Sequence, residues 1–290
     1  MTTVLFGIDV STSAGPGADP VADARRAERA GFDFVSASDH PGAPAQPNFE
    51  TWTMLTWIAA ATSRITVTTR VLGVPFRAPA MVAKAAESLD RLSAGRLIVG
   101  LGAGGSDEEL RSFGAPGRGA GDKVRGLEDA VAIIRGLWEE SAFSYDGPIY
   151  RVDRAHLEPK PTRQIPIWLG TFGDRALAVT GRIADGWIPS LGHAPAERIP
   201  TMRSQVLAAA ERAGRQPDAI TCALNLEVRL DDQLGRDPDE FIGPPDKIAG
   251  ALLRYVGLGF TAFNLMTAGE HAEDQVDRLA AEVLPAVRAG

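Results

Sequence analysis

Phe32 to His40 reads FDFVSASDH, a short apolar run that stops at an adjacent aspartate and histidine and is followed at once by Pro41-Gly42. Phe32, Phe34 and Val35 carry the aromatic and β-branched signature of a strand, and Pro-Gly cannot continue it. Asp39 and His40 are therefore expected at the strand's C-terminal end. In an α/β chain the side chains there leave the packed sheet and meet the loops that carry ligands. The fold turns on how many such units the chain repeats.

Upstream, Val4 to Val10 is a short apolar run, followed by the loop STSAGPGADP and a helical pattern from Asp19 to Gly31. Asp19 suits the cap of that helix, Pro20 its first position and Gly31 its stop. Downstream of His40 a helix is expected from about Phe49 to Ser63, a strand over Ile65 to Leu72 and a helix over Pro79 to Leu92. The fourth strand is Arg96 to Gly102 (RLIVGLG), with its helix from about Asp122 to Glu140. Between Ser141 and Pro161 residues alternate about Asp146-Gly147-Pro148, the pattern of a small hairpin excursion. Strands at Ile165 to Leu169, Gly186 to Pro189, Ile220 to Leu230 and Phe260 to Met266 follow. Their helices are expected at Asp174 to Ile183, Pro195 to Ala213, Pro245 to Gly257 and His271 to about Arg288. Eight strands, each with its helix, predict an α/β fold of the (β/α)8 barrel type, one domain over residues 1–290 with a hairpin between the fourth helix and fifth strand. A doubly wound sheet is the alternative.

The chain has 290 residues, 44% of them hydrophobic, and a formal net charge of -7. Nothing in it makes a basic stripe for a phosphate backbone, so nucleic acid is not an expected partner. No apolar run is long enough to span a bilayer, and Met1 to Val10 has neither a basic start nor a small-residue cleavage site, so a cytoplasmic protein without membrane association is expected. The single cysteine, Cys222, sits in the apolar run TCALNLEV and reads as a buried structural thiol. His156, His193 and His271 have no metal-ligand spacing, and no metal is expected; His193, after the sixth strand, is placed to line a pocket. Trp52 and Trp57 read as core or interface, Trp187 as core. Arg118, Lys123 and Arg125 form a basic cluster after the fourth strand, either a solvated face or a set of charges for an anionic ligand tail.

Gly100 to Gly105, GLGAGG, satisfies G-x-G-x-x-G after a strand. As a dinucleotide fingerprint it is weak, because three strand–helix units precede it and the stretch about twenty residues on, where an acid-terminated strand belongs, is helical. A turn that lets backbone approach a flat ligand accounts for the glycines equally well. Ser106 and Glu109 have capping-box spacing, which gives Glu109 a structural alternative to ligand contact.

RLSAGRLIVGLGAGGSDEELRSFG, preceded by RAPAMVAKAAESLD and followed by IPIWLGTFGDRALAVTGRIADGWIPS and GPPDKIAGALLRYVGLGF, resembles the luciferase-like monooxygenase family, which includes coenzyme F420 (deazaflavin) enzymes. The resemblance runs from about residue 4 to 288 and implies a (β/α)8 barrel, a small-molecule substrate and often a homodimer. VSASDH resembles the deazaflavin branch, which makes Asp39 a cofactor contact and His40 the candidate acid or base near the reactive carbon. TTRVLGVP matches the family's bulged third strand, whose non-prolyl cis peptide backs the ring, with Arg70 and Val71 in that place. Many members carry Gly or Ser where this chain has Arg70, and Arg-His-Pro where it has Arg77-Ala78-Pro79. Gly102, Ala103 and Gly104 match the turn flanking the ring, with Glu109 close after it. Gly170, Thr171, Phe172 and Gly173 match the turn for the cofactor phosphate, with Thr171 in place of a frequent Gly and Asp174 of a frequent Pro.

Such a cofactor carries the redox chemistry, so the protein supplies a flat slot, phosphate donors and a proton carrier. Backbone N–H groups opening the Asp174 helix suit a phosphate. Oxidation of an alcohol by hydride transfer requires a base for the hydroxyl proton, and histidine has the unperturbed pKa nearest neutrality. The expected function is F420-dependent hydride transfer to or from a small organic substrate. A reduced-FMN monooxygenase using oxygen and a non-catalytic cofactor-binding barrel are the alternatives.

Overall fold

The structure is a computed structural model that describes residues 3–42, 47–234, 239–267 and 272–290. Eight strands run parallel: β1 (Leu5–Asp9), β2 (Phe34–Ala37), β3 (Thr66–Thr69), β5 (Leu97–Gly102), β8 (Ile167–Gly170), β9 (Gly186–Trp187), β10 (Thr221–Leu230) and β12 (Ala262–Thr267). Each pairs with the next, β9 with β10, β10 with β12, and β12 with β1. The sheet therefore closes on itself into the expected (β/α)8 barrel, and a doubly wound sheet, which would leave two open edges, is excluded.

Helices α1 (Pro20–Ala30), α2 (Thr51–Ala61), α3 (Pro79–Leu92), α5 (Ala120–Glu139), α6 (Asp174–Ile183), α7 (Ile199–Arg212), α8 (Pro245–Gly257) and the α9–α10 pair (Ala272–Arg278 and Leu284–Ala289) cover the outside. The capping signals hold: the Asp19 side chain accepts the Ala22 N–H, Pro20 opens α1, and Gly31 ends it in the left-handed region at φ 91°. Among the described residues no helix is long and apolar enough to cross a membrane. His271 lies outside the described residues. Five residues of π-type backbone at Leu279–Val283 separate α9 from α10, an interruption that the sequence pattern does not announce.

The hairpin of β6 (Phe143–Asp146) and β7 (Arg151–Ala155) lies where the alternation placed it. Its turn is tied to α5 by the buried Asp129 carboxylate, which accepts from Tyr145 Oη and the N–H groups of Ile149 and Tyr150. Burial, then the Asp129 hydrogen bond, pushes the Tyr145 hydroxyl pKa up to about 12, so it stays a donor at any physiological pH. The third strand is shorter than the sequence suggests. It stops at Thr69, the Arg70–Val71 peptide is cis, and the strand resumes as β4 (Leu72–Gly73) beside β5. A six-residue helix α4 (Asp107–Ser112) precedes α5, and β11 (Ile242–Gly243) pairs in parallel with the C-terminal end of β10.

Inside the barrel the lower layer is apolar, with Phe34 edge-on to Trp168 and Ile188, Ala223 and Ala262 beside them. Towards the C-terminal ends of the strands the interior turns polar: Ser36, Thr68, Thr69, Asn225 and Asn264 are all fully buried. Cys222 is buried, as expected, and Trp187 is fully buried in the core. Trp52 packs against the core while Trp57 is 71% exposed.

Candidate functional site

A cleft of about 410 Å³ opens at the C-terminal ends of the strands. Its walls include Asp39, His40, Arg70, Val71, Gly102, Ala103, Gly104, Glu109, Gly170, Thr171, Phe172 and Gly173, so the residues expected to bind cofactor or act as acid or base converge on one place.

Asp39 leaves β2 with its side chain 1% exposed. Its Oδ2 accepts from the Gly73 N–H (2.8 Å) and Arg77 Nη1 (2.8 Å), and its Oδ1 from Arg77 Nη2 (2.9 Å). This is a bidentate, charge-assisted pair, the strong kind of ionic hydrogen bond. Arg77 also binds Glu50, which caps α2 by accepting the Thr53 N–H. Burial pushes the Arg77 pKa down, but the hydrogen bonds and charges of Asp39 and Glu50 outweigh it, and the pKa is raised. Asp39 thus edges the cleft while its carboxylate ties β2 to β4. Arg77 and Glu50 are the functional partners that the sequence reading missed; the RAP stretch marked the position of Arg77 without indicating what it binds.

His40 is the next residue, and its side chain is 62% exposed at the mouth. Its Nδ1 lies 3.2 Å from Glu109 Oε2, and Glu109 Oε1 accepts the Gly42 N–H at 3.2 Å. A carboxylate only accepts, so Nδ1 carries the proton and Nε2 is left for a ligand. The capping box is only half formed. Ser106 Oγ accepts the Glu109 N–H at 3.2 Å, but the Glu109 carboxylate turns away from the helix end to His40 and the loop beyond it.

The floor is made by the interruption of the third strand. Arg70 is held by Asp9, whose Oδ1 accepts from Arg70 Nε (2.9 Å) and Ser36 Oγ (3.1 Å). Val71 rises over the barrel mouth against two glycines. A Cβ on Gly102 would lie 2.6 Å from Val71 Cγ2, and one on Gly170 would lie 3.2 Å from its methyl groups. Gly100 meets the Thr69 carbonyl oxygen, 1.9 Å from where its Cβ would stand. The first glycines of GLGAGG therefore make room for the protein's own third strand. Gly104, at φ 92°, turns the chain towards α4.

On the facing wall Gly170–Gly173 leads into α6, whose N-terminus has no side-chain cap. Thr171 is buried, its hydroxyl 2.7 Å from Thr180 Oγ1 and its carbonyl accepting from Trp187 Nε1 at 3.0 Å. The Thr171 side chain thus locks the turn, and the turn's backbone remains for a ligand. Phe172 stacks on His193 at 5.5 Å, and Ser190 lies beside them. His193 lines the cleft as its loop position suggested, whereas His156 is exposed elsewhere. The basic residues do not act together: Lys123 pairs with Asp107, Arg125 with Asp122, and Arg118 donates to Tyr150 Oη and lies over its ring. Among the described residues no group of acids, histidines or cysteines could hold a metal ion.

Backbone amides at an uncapped helix start, a smooth floor at Val71 and glycines without side chains suit a flat ring carrying a phosphate. A protein of Nakamurella multipartita named F420-dependent glucose-6-phosphate dehydrogenase is 31% identical over 209 residues, 71% of this chain and 61% of its own length. A protein of the same name from Intrasporangium calvum is 26% identical over 317 residues, 91% of this chain and 92% of its own. The solved structure of an F420-dependent secondary alcohol dehydrogenase with an F420–acetone adduct superposes with a TM-score of 0.87, covering 98% of this chain and 99% of that one; at 20% identity the likeness speaks for the fold. Residues 1–236 match the luciferase-like monooxygenase family from β1 through β10, and the chain belongs to that family.

Proposed function

We propose that the protein is a coenzyme F420-dependent oxidoreductase that moves hydride between the deazaflavin and a small organic alcohol or carbonyl compound. The observation that carries this reading is the His40–Glu109 pair at the mouth of a glycine-lined cleft. Bound over Val71, the deazaflavin would supply the hydride acceptor or donor. The chain's own residues do the rest. The Gly170–Gly173 backbone and the first turn of α6 hold the phosphate. Asp39 fixes the Gly73 backbone and Arg77, and so the height of the floor. As hydride leaves the carbinol carbon, His40 Nε2 takes the hydroxyl proton and the C=O bond forms; in the reverse direction His40 returns the proton. Glu109 holds Nδ1–H and stabilises the imidazolium.

Fluorescence titration with F420 and with FMN, each oxidised and reduced, tests the cofactor. Binding of F420 at micromolar or lower concentration is expected; preference for reduced FMN would turn the reading to oxygen chemistry. His40→Ala should keep F420 affinity and lose at least about a hundredfold in rate with the alcohol that a screen identifies. A variant with full rate removes His40 from the mechanism.

A further inference from the structure

A line of buried polar side chains climbs the barrel interior to the cleft. Asn264 on β12 and Asn225 on β10 are in register and fully buried. Asn264 Nδ2 donates to Asn225 Oδ1 at 2.7 Å, and Asn225 Nδ2 donates to Ser190 Oγ at 2.7 Å. Ser190, at the end of the sixth barrel strand, lines the cleft. Such asparagines are costly beside the apolar layer of Phe34, Trp168, Ile188 and two alanines. The line also has a direction. Asn264 Oδ1 is buried without a donor among the described residues, and its neighbour on the other side is Gly7, which has no side chain to offer one. With both amides reversed, the orphan would be an NH₂ group instead, and buried orphan N–H groups are rarer than orphan carbonyls. In this direction Ser190 Oγ accepts from below, which leaves its proton free to point into the cleft that Ser190 lines.

We propose that Ser190 is a hydrogen-bond donor to a carbonyl or alkoxide oxygen of the bound ligand, with Asn225 and Asn264 as positioning residues that fix its polarity. The inference rests on the proposed hydride-transfer reading of the cleft and adds to it a contact that does not involve His40. Two oxygens have the right chemistry, a ring carbonyl of the cofactor and the reacting oxygen of the substrate. Low local dielectric strengthens the contact, and the chain of amides polarises it further.

The test compares wild type, Ser190→Ala, Ser190→Thr and Asn225→Leu in two titrations: F420 on the free protein, and isobutyramide, an unreactive carbonyl compound, on the F420-loaded protein. Loss of one such bond should weaken binding about tenfold. Weakening of F420 binding in Ser190→Ala, restored in Ser190→Thr, assigns the contact to the cofactor. Unchanged F420 binding with weaker isobutyramide binding, restored in the same way, assigns it to the substrate. Asn225→Leu should show the same loss in part, with Ser190 still present. If that variant fails to fold, the Ser190 pair decides. Unchanged affinities in Ser190→Ala for both ligands overturn the proposal, as does F420 binding unchanged with no isobutyramide binding even by wild type. Failure of wild type to bind F420 at all would instead overturn the cofactor assignment, before any variant is compared.

Discussion

Asp39→Ala separates two jobs that one carboxylate could have. The Asp39 side chain is 1% exposed and that of Arg77 22%, so the pair is desolvated enough for its energy to survive screening. Removing one partner of a buried pair costs about 3–5 kcal/mol, because the other charge is left without compensation. Arg77 retains Glu50, whose side chain is 42% exposed, and the Gly73 N–H loses its acceptor; these act in opposite directions and leave the lower end, about 3 kcal/mol. For a chain of this size that lowers the thermal midpoint by roughly 6 °C or more. Asp39→Asn, which keeps an acceptor for Gly73 but loses the charge, should fall between. In a double-mutant cycle, the losses in Arg77→Ala and Asp39→Ala should be less than additive, since the two share one interaction, with the Arg77–Glu50 pair as the part that remains separate. Melting followed by circular dichroism, beside F420 titration of each folded variant, reads both jobs. A variant Asp39→Ala that melts within about 1 °C of wild type yet loses F420 affinity would refute the pairing argument and make ligand contact the main role of this carboxylate.

Three further outcomes follow from the geometry. Gly100→Ala should destabilise most, since its Cβ would meet a backbone carbonyl at 1.9 Å; Gly102→Ala, against Val71 at 2.6 Å, should cost about 1–3 kcal/mol; and Gly170→Ala, at 3.2 Å, should cost least. Thermal midpoints that do not follow this order would show that the third strand yields at the mouth. Glu109→Gln should keep the Gly42 contact and lower the rate by tenfold or more without changing F420 affinity, and Glu109→Gln with His40→Ala should be no slower than His40→Ala alone; additive losses would separate the two residues. Burial raises the Glu50 pKa, but the Thr53 hydroxyl and N–H and Arg77 outweigh it and hold the carboxyl below 4.5. The unfolded chain therefore takes up this proton first as pH falls. The stabilisation is complete above 4.5 and is lost as the pH drops through the folded value. Glu50→Gln should flatten the acid side of a midpoint-against-pH curve, and an unchanged acid slope would rule Glu50 out as a contributor.

The strand ends and the glycine turns were legible because each is a local signal. An apolar run halted by Asp39-His40-Pro41-Gly42, or Gly170–Gly173 before a helix, needs no knowledge of what lies opposite. The β3–β4 break was legible only as a family trait, because TTRVL keeps the side-chain pattern of one continuous strand while the backbone interrupts it between Arg70 and Val71. Partnerships across the barrel were not legible. Asp39 meets Arg77 38 residues away, Asn264 meets Asn225 at 39 and His40 meets Glu109 at 69, and only the pairing of strands far apart in sequence brings these residues together. The same holds for the basic cluster: spacing suggested a common patch, but Arg118, in the loop before α5, and Lys123 and Arg125, on α5, each find a separate partner.

The half-formed capping box at α4 has a consequence on the timescale of opening motions. Six residues are too few to hold helical structure unaided. Leu110 packs inward, the Ser106 hydroxyl covers one amide, and the Glu109 carboxylate, which could have covered another, fastens the segment to the loop of His40 and Gly42. The helix and the loop therefore protect each other, and neither can open without releasing the other. Amide hydrogens of residues 107–112 and of Gly42 should exchange as one cooperative unit, and the lifetime of that unit limits how long His40 stays aimed at the cleft.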